Sequence, residues 1–162
     1  MMVPDYALIG EIMFFAYGFA DAKALGAKMV TTFKLCSEQL SAQPHYDYGM
    51  RAVKTVITAA GNLKRAEPAA DEMVLLLRAL QDVNYPKFLG MDLPLFEGII
   101  SDLFPGKERP VLDYGKLNDM MKASPVVIQE RGLQPHPFFT TKVIQLYEMI
   151  VVRHDLMLVG PT

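Results

Sequence analysis

The sequence predicts a mainly α-helical fold, and three observations lead to that prediction. Apolar residues recur every three or four positions through most of residues 5–83, which is the spacing of one face of a helix. Aspartates that can cap a helix N-terminus precede several of these segments. Only residues 156–159, near the end of the chain, resemble a short buried strand, so a sheet is not expected to dominate the fold.

The first two helices are predicted from their starts and from their apolar residues. Pro4 and Asp5 can begin a helix that runs to about Gly18. Its apolar residues occur nearly all round, so most of this helix is expected to be buried. Asp21 is a good N-cap for the second helix. One face of that helix carries five apolar residues three or four positions apart: Leu25, Met29, Phe33, Cys36 and Leu40.

Two further helices are predicted before residue 84. Asp47 is expected to open the third helix, which fades near Gly61, and Asp71 is expected to open the fourth. The inward residues of the third are Met50, Val53, Ile57 and Ala60. Those of the fourth are Met73, Leu77 and Leu80.

Prolines, glycines and phenylalanines become frequent after Asn84. We predict a linker followed by an ordered apolar loop, with a domain boundary near residue 90. On periodicity alone, residues 91–106 also fit a short helix that docks by its apolar face. The functional alternative is an apolar wall for a flat ring such as adenine, because small-molecule sites are mostly apolar.

The last third of the chain is predicted to hold two helices and one strand. The first helix spans about residues 113–131, with an interruption at residues 124–125 and Gly132 as its C-cap. His136 and Pro137 begin the second, whose inward residues are Phe139, Val143, Leu146, Tyr147 and Ile150. The strand at residues 156–159 has no partner strand in the sequence, so the missing sheet is expected in another copy or beyond Thr162.

Composition and charge exclude several classes of protein. The chain has 162 residues, of which 51% are hydrophobic and 21% charged, as in a globular domain and unlike a disordered chain. A net charge of −2 lacks the basic excess of a nucleic-acid surface, so no nucleic-acid partner is expected. The longest apolar run near the N-terminus, residues 12–20, is shorter than the ~20 residues of a membrane span, so no membrane partner is expected.

Few residues outside the apolar pattern suggest chemistry. Arg51 lies opposite the inner face of the third helix, where a solvent-exposed arginine is the simplest interpretation. Its planar, permanently charged guanidinium would also suit phosphate oxygens. Cys36 lies on the apolar face of the second helix and is interpreted as a small buried hydrophobe in a reducing compartment. The three histidines lack metal-ligand spacing, so no metal site is predicted. No catalytic residue is predicted either, because the carboxylates occur at helix caps and on outer faces and no G-x-S-x-G motif occurs.

Several stretches taken together closely resemble one family. They read MMVPDYALIGEIMFF, KLCSEQLSAQPHYDYGMRAVKTVITAAGNLK and DLPLFEGIISDLFP, followed at the right distance by YEMIVVRHDLMLVGPT. This combination covers essentially the whole chain and is similar to dynein heavy chains. MMVPDYALIGEI and HYDYGMRAVK look more like axonemal than cytoplasmic heavy chains. The resemblance implies a segment of the motor's ring of AAA+ modules.

The resemblance also implies two subdomains. Residues 1–90 would be the helical small subdomain, or lid, of the first module. Residues 91–162 would be the N-terminal start of the next module's large α/β subdomain, truncated at the P-loop. Within it, residues 156–159 would be the first strand of the sheet. The first letters of the Walker A loop would then be Gly160, Pro161 and Thr162.

Nucleotide-binding residues follow from the same resemblance. In the family, a Gly-Leu-Arg type of motif in the lid supplies the sensor II arginine, and here that motif reads Gly49-Met50-Arg51, with methionine in place of leucine. Arg51 is therefore expected to serve the site of the preceding module. The family's adenine loop, expected to serve the next module, maps onto Leu93, Pro94, Leu95 and Phe96.

The implied function is that of one part of an ATP-driven microtubule motor. The Walker A lysine and the Walker B acids are absent, so the chain alone is not expected to hydrolyse ATP or to bind it tightly. ATP or ADP with Mg²⁺ would bind in the intact motor. This segment would sense nucleotide through Arg51 and couple neighbouring modules.

The implied partners are the remaining AAA+ modules of the same heavy chain and, through the parent protein, the microtubule and other dynein subunits. The implied location is cytoplasmic and cytoskeletal, in the axoneme of a cilium or flagellum. A plain α-helical interaction or scaffold domain without a nucleotide role fits the composition and periodicity equally well. It leaves the strand-like residues 156–159 and the proline-rich apolar stretch unexplained.

Overall fold

Helices account for the regular structure of the described part of the chain. The computed structural model describes residues 4–106, 130, 132, 134, 136–153 and 157, and no strand occurs among them. The mainly α fold class is confirmed for these residues. The helices are α1 (Tyr6–Ala16), α2 (Ala22–Gln39), α3 (Met50–Ala66), α4 (Glu72–Asn84), α5 (Leu93–Leu103) and α6 (Pro137–Arg153). No helix in the described ranges is long and apolar enough to cross a membrane.

The chain divides into two compact units. The first, Met1–Arg109, contains α1 to α5, and the second, Pro110–Thr162, contains α6. In the first unit α2 packs against α1, α4 and α5, while α3 packs against α1 and α4. Compactness does not test the predicted boundary near residue 90, so that boundary stays a prediction.

The start of α1 is confirmed, whereas its predicted burial is wrong. Asp5 Oδ1 accepts hydrogen bonds from the backbone N–H groups of Ala7 and Leu8 at 3.0 and 3.1 Å, as an N-cap does. The helix ends at Ala16, just before Gly18, whose φ of 85° favours glycine. Only one side of α1 packs on the bundle. Three apolar side chains on the other side are exposed: Leu8, Ile12 and Phe15.

The apolar face of α2 is buried in full, as its spacing predicts. All five of its residues lie in the core: Leu25, Met29, Phe33, Cys36 and Leu40. The position of Asp21 as N-cap is confirmed, but its side chain makes no capping bond. Instead, the carboxylate of Glu72 at the start of α4 accepts hydrogen bonds from the backbone N–H groups of Ala20 and Asp21 at 3.0 and 3.1 Å. Glu72 therefore attaches the start of α4 to the two residues that precede α2, while the first turn of α2 has no side-chain cap.

The predicted start and end of α3 are corrected. Gly49, not Asp47, occupies the N-cap, and Asp47 Oδ1 accepts a hydrogen bond from the Gly49 N–H at 2.9 Å in the preceding turn. The helix continues past Gly61 to Ala66. Gly61 lies inside the helix, where the ring of Tyr17 packs against it. A Cβ at this position would lie 2.3 Å from a ring carbon, so the close contact requires glycine.

The inner faces of α3 and α4 are largely as predicted. Asp71 caps α4 by accepting the Met73 N–H at 2.9 Å, which confirms the predicted start of that helix. The two methionines in the predicted set, Met50 and Met73, lie at the edge of the core and are only half-buried. The remaining predicted residues of both helices are buried: Val53, Ile57, Ala60, Leu77 and Leu80.

Helix α5 corrects the prediction of an apolar loop and agrees with the alternative of a short docked helix. Pro94 lies in its first turn, where a missing backbone N–H costs nothing. Its buried residues, Phe96, Ile99 and Ile100, follow helical spacing. Helix α5 docks by this apolar face.

The second unit is described only in part. The predicted last helix is confirmed as α6, and Gly132 has a φ of 72°, as a C-cap glycine does. Its apolar face is not buried as predicted, because four of the five residues remain exposed: Phe139, Leu146, Tyr147 and Ile150. The helix predicted at residues 113–131 and the strand at residues 156–159 lie outside the residues that can be described.

Candidate functional site

Arg51 lies in the first turn of α3 with its side chain exposed. Its guanidinium has no ion pair or hydrogen bond to any residue in the described ranges. The N-terminus of α3 has no side-chain capping bond, and its first turn holds no acidic residue. A helix N-terminus favours anions and disfavours cations, so Arg51 does not stabilise its own helix by charge. The exposed guanidinium and the first-turn N–H groups of α3 each add positive charge near this end of the helix.

The loop between α2 and α3, residues 40–49, is attached to the start of α5 through a buried carboxylate. Asp92 is only 3% exposed. It accepts hydrogen bonds from the Ser41 backbone N–H at 3.2 Å, from Ser41 Oγ at 2.6 Å and from the Tyr46 hydroxyl at 2.7 Å. We call these three residues the Asp92 junction. The junction fixes both ends of the segment 41–46 to one point.

In the Asp92 junction, the hydrogen-bond acceptor is ionised and the tyrosine donor is protonated. The hydrogen bonds from Ser41 and Tyr46 lower the pKa of Asp92 below its usual value, so the carboxylate is ionised at neutral pH. Burial is the main cause that raises the pKa of Tyr46, so the phenol keeps its proton. An ionised acceptor faces a protonated donor, and such charge-assisted hydrogen bonds are the stronger kind.

An aromatic cluster surrounds the Asp92 junction and extends into α5. The ring of Tyr46 packs edge-on against Phe88, with centroids 5.0 Å apart, and Phe88 packs in the same way on Phe96 at 4.9 Å. The Tyr46 hydroxyl also accepts the Leu89 backbone N–H at 2.8 Å. His45 Nε2 lies 3.0 Å from the backbone oxygen of Lys87. The α2–α3 loop thus packs against residues 87–89 and Asp92 of the connection between α4 and α5.

The four residues of the expected adenine loop form the first turn of α5, and they differ in burial. Phe96 is 0% exposed and belongs to the aromatic cluster, whereas Leu95 is 49% exposed. Pro94 is also exposed and Leu93 is half-buried. Pro94 and Leu95 therefore remain accessible to a ligand, while Phe96 supports them from within. Contact of these residues with adenine stays a prediction.

Arg51 and the first turn of α5 share one compact unit and are connected through the Asp92 junction and the aromatic cluster, without a direct bond in the described ranges. The expected Walker A residues lie outside the residues that the structure describes: Gly160, Pro161 and Thr162. Within those same ranges, no group of three or more histidine, cysteine, aspartate or glutamate side chains could hold a metal ion.

Sequence reasoning missed the Asp92 junction. Asp92 precedes a Leu-Pro pair at the N-cap of α5, so the local pattern indicates an ordinary helix cap. Its side chain makes no capping bond to its own helix and contacts residues 46 and 51 positions earlier in the chain. No local pattern carries that information.

Comparison with known proteins identifies the family. The family model described as the hydrolytic ATP binding site of the dynein motor region matches residues 1–162. The chain belongs to the dynein heavy chain family. This dynein segment is 59% identical over 160 residues to dynein axonemal heavy chain 3 of Mus musculus, which covers 99% of the segment. It is also 57% identical over 162 residues, the whole segment, to dynein axonemal heavy chain 1 of Homo sapiens.

The same comparison defines how much of a dynein the segment represents. It covers 4% of each of those two relatives, and 5% of dynein axonemal heavy chain 12 of Mus musculus, to which it is 57% identical over 160 residues. The resemblance to axonemal dynein heavy chains, and the assignment to the AAA+ motor region, are confirmed.

Proposed function

We propose that this dynein segment is a nucleotide-sensing lid that couples two neighbouring AAA+ modules in an ATP-driven microtubule motor. The observation that carries the proposal is that one compact unit holds both Arg51 and the first turn of α5. The resemblance assigns these two features to the nucleotide sites of successive modules. A single packed unit that contributes to both sites is a physical means of coupling them.

The sensing role rests on the surroundings of Arg51. An exposed arginine at an uncapped helix N-terminus offers a guanidinium and free backbone N–H groups to the same anion. The terminal phosphate of a nucleotide is such an anion. Binding it would offset the unfavourable interaction between the arginine and the helix dipole. The lid would then respond to the charge state of the nucleotide.

The coupling role rests on how α5 is held. Near its N-terminus the Asp92 junction attaches α5 to the α2–α3 loop. At its C-terminus, Lys28 Nζ of α2 donates a 2.7 Å hydrogen bond to the Leu103 backbone oxygen and lies 5.1 Å from the Phe104 ring centroid. Because both ends are held, a rotation of the bundle would move α5 as a whole.

The remaining parts of the proposal rest on the resemblance to dynein heavy chains. Residues 1–90 would be the lid of one module and residues 91–162 the start of the next large subdomain. ATP or ADP with Mg²⁺ would bind in the intact motor, supported by the match to a hydrolytic ATP binding site. The other AAA+ modules, the microtubule and further dynein subunits would be the partners, in an axoneme. The segment alone would not catalyse hydrolysis.

Replacing Arg51 in the full heavy chain tests the proposal. Arg51→Ala should lower microtubule-stimulated ATP turnover, by as much as ~10³-fold if the arginine contacts the terminal phosphate. The melting temperature of the 162-residue chain should stay unchanged or rise slightly, because the side chain is exposed and its charge is unfavourable at the helix N-terminus. Lys54→Ala removes an exposed cation one turn further along α3 and is the matched control.

The two variants together separate sensing from general charge effects. Equal turnover in Arg51→Ala and the unaltered motor would reject the sensing role. Equal losses in Arg51→Ala and Lys54→Ala would indicate a diffuse electrostatic effect instead of a specific contact.

A further inference from the structure

We infer that Tyr46 and Asp92 are positioning residues for Arg51: their hydrogen bond fixes the end of the α2–α3 loop, and with it the first turn of α3, against the start of α5. The placement of Arg51 would then depend on a carboxylate 46 positions away from Tyr46 in the sequence. The effect on ATP turnover rests on the function proposed above, whereas the positional effect does not.

The orientation of Asp92 supports this inference. An aspartate at an N-cap ordinarily accepts a backbone N–H of its own helix. Asp92 occupies the N-cap of α5 but makes no such bond. All three of its hydrogen bonds are accepted from Ser41 and Tyr46 in the α2–α3 loop. The buried Asp92 carboxylate therefore links the start of α5 to the α2–α3 loop instead of capping its own helix.

A short and ordered path joins Tyr46 to Arg51. Asp47 Oδ1 accepts the Gly49 N–H at 2.9 Å, which closes a tight turn immediately before α3. The ring of Tyr48, inside this turn, packs against Phe33 with centroids 6.2 Å apart. A displacement of Tyr46 would therefore pass to the first turn of α3, because the intervening residues cannot absorb it freely.

Distance measurements on the 162-residue chain test the positional effect. Spin labels are attached to Lys54→Cys on α3 and Ser101→Cys on α5, both exposed positions in the same compact unit. The native Cys36 is buried and does not compete for the label. The background chain should give one narrow distance distribution. Tyr46→Phe keeps the ring and removes only the hydroxyl, and it should shift or broaden that distribution.

Tyr85→Phe is the matched control for this substitution. The Tyr85 hydroxyl donates to Glu97 Oε1 of α5 at 2.8 Å, so the variant also removes a tyrosine–carboxylate bond to α5, but on the exposed side and away from the α2–α3 loop. Its distribution should stay narrow. Asp92→Asn is the second variant and should reproduce the effect of Tyr46→Phe. An unchanged distribution in both Tyr46→Phe and Asp92→Asn, with melting temperatures showing that they fold, would overturn the inference.

ATP turnover by the full heavy chain tests whether the position of Arg51 affects the motor's activity. Tyr46→Phe should lower kcat by about tenfold or more, because misplacing a phosphate-binding group by about 1 Å from a distance can cost up to ~10²-fold. It should cause no further loss when added to Arg51→Ala, because it acts through that arginine. Additive losses in the double variant would show that Tyr46 acts independently of Arg51, and would overturn the inference.

The outcomes also distinguish this inference from the proposed function. If Arg51→Ala loses ATP turnover while Tyr46→Phe turns over ATP normally, the positioning role of Tyr46 is rejected and the sensing role of Arg51 is retained. Normal turnover in Arg51→Ala rejects the sensing role, and the spin-label distances then decide the positional effect alone.

Discussion

Burial determines the chemistry of individual side chains in this bundle, and Cys36 is the clearest case. Its side chain is 1% exposed on the inner face of α2, and burial raises the pKa of its thiol to about 12. The thiolate, which is the reactive form, is therefore almost absent at neutral pH. The same desolvation acts on Tyr48 nearby, whose pKa is also raised, first by burial. Both groups therefore stay protonated at neutral pH.

We predict that Cys36 in the folded chain reacts very slowly with a thiol-directed reagent at pH 8. A pKa raised by about three units lowers the thiolate fraction on the order of 10³-fold relative to an exposed thiol. Labelling rates measured with and without denaturant give the ratio. Labelling of the native chain as fast as of the unfolded chain would contradict the buried position of Cys36.

We also predict opposite effects for two tyrosines that lie two positions apart. The buried hydroxyl of Tyr48 has no hydrogen-bond partner in the described part of the chain. Tyr48→Phe should leave the free energy of unfolding unchanged or raise it by about 1 kcal/mol, because no bond is lost. Tyr46→Phe removes a bonded hydroxyl and should lower that free energy by about 1 to 3 kcal/mol. Urea unfolding measures both, and a larger loss for Tyr48→Phe would refute the assignment.

At the scale of the helices, glycines decide how closely elements approach. Gly26 of α2 lies against the backbone of α1, and a Cβ there would sit 3.3 Å from the Ala7 oxygen. Gly61 of α3 leaves room for the ring of Tyr17 that follows α1. Both glycines are helical, where alanine would be intrinsically favoured, so their benefit lies in packing. The close approach of α2 to α1, and of α3 to Tyr17 at the end of α1, depends on them.

We predict that Gly61→Ala lowers the free energy of unfolding, although alanine has the higher helix propensity. The added Cβ would lie 2.3 Å from a ring carbon of Tyr17, so the ring must move out of its place. Gly98→Ala in α5 is the matched control, because a Cβ there meets nothing within 4 Å. That variant should gain up to about 1 kcal/mol. A gain in both variants would show that Tyr17 does not pack on Gly61 in solution.

At the scale of the whole unit, two buried or half-buried carboxylates join segments that are far apart in the chain. Glu72 attaches α4 to the turn between α1 and α2, and Lys64 lies 3.1 Å from it. Burial raises the pKa of Glu72, but the hydrogen bonds from Ala20 and Asp21 and the nearby Lys64 outweigh burial, so its pKa is lowered. The pKa of Asp92 is lowered as well. Both carboxylates stabilise the fold in their ionised form.

The pH dependence of stability follows from these directions. A carboxylate with a lowered pKa in the folded state contributes stability that is present above its unfolded pKa of about 4 and is lost as the pH falls through the folded value. Urea unfolding should therefore give similar free energies at pH 7 and pH 5 and a decline below about pH 4. Glu72→Gln should weaken the decline. A free energy that rises with acidification would contradict both hydrogen-bond networks.

Local patterns in the sequence were sufficient for much of the fold and for one candidate residue. The starts of α1 and α4, the inner face of α2 and the existence of α6 follow from caps and from helical spacing, which involve neighbours within a few positions. The quoted motifs also identified the family, and with it Arg51. These features could be predicted because each depends on a short stretch of chain.

Only the tertiary structure showed how the helices and loops contact one another. It decided between the loop and the helix that the sequence allowed at residues 91–106, and it showed that this helix, α5, is held at both ends. It also showed that Asp92 binds Ser41 and Tyr46 instead of capping its own helix. It likewise showed that one face of α1 stays exposed. Each of these outcomes depends on groups that only the folded chain brings together. The sequence by itself therefore determined most of the helices, the family and the candidate arginine. The folded chain decided which segments Asp92 and Glu72 connect, because a carboxylate's partner 46 to 52 positions away leaves no local pattern.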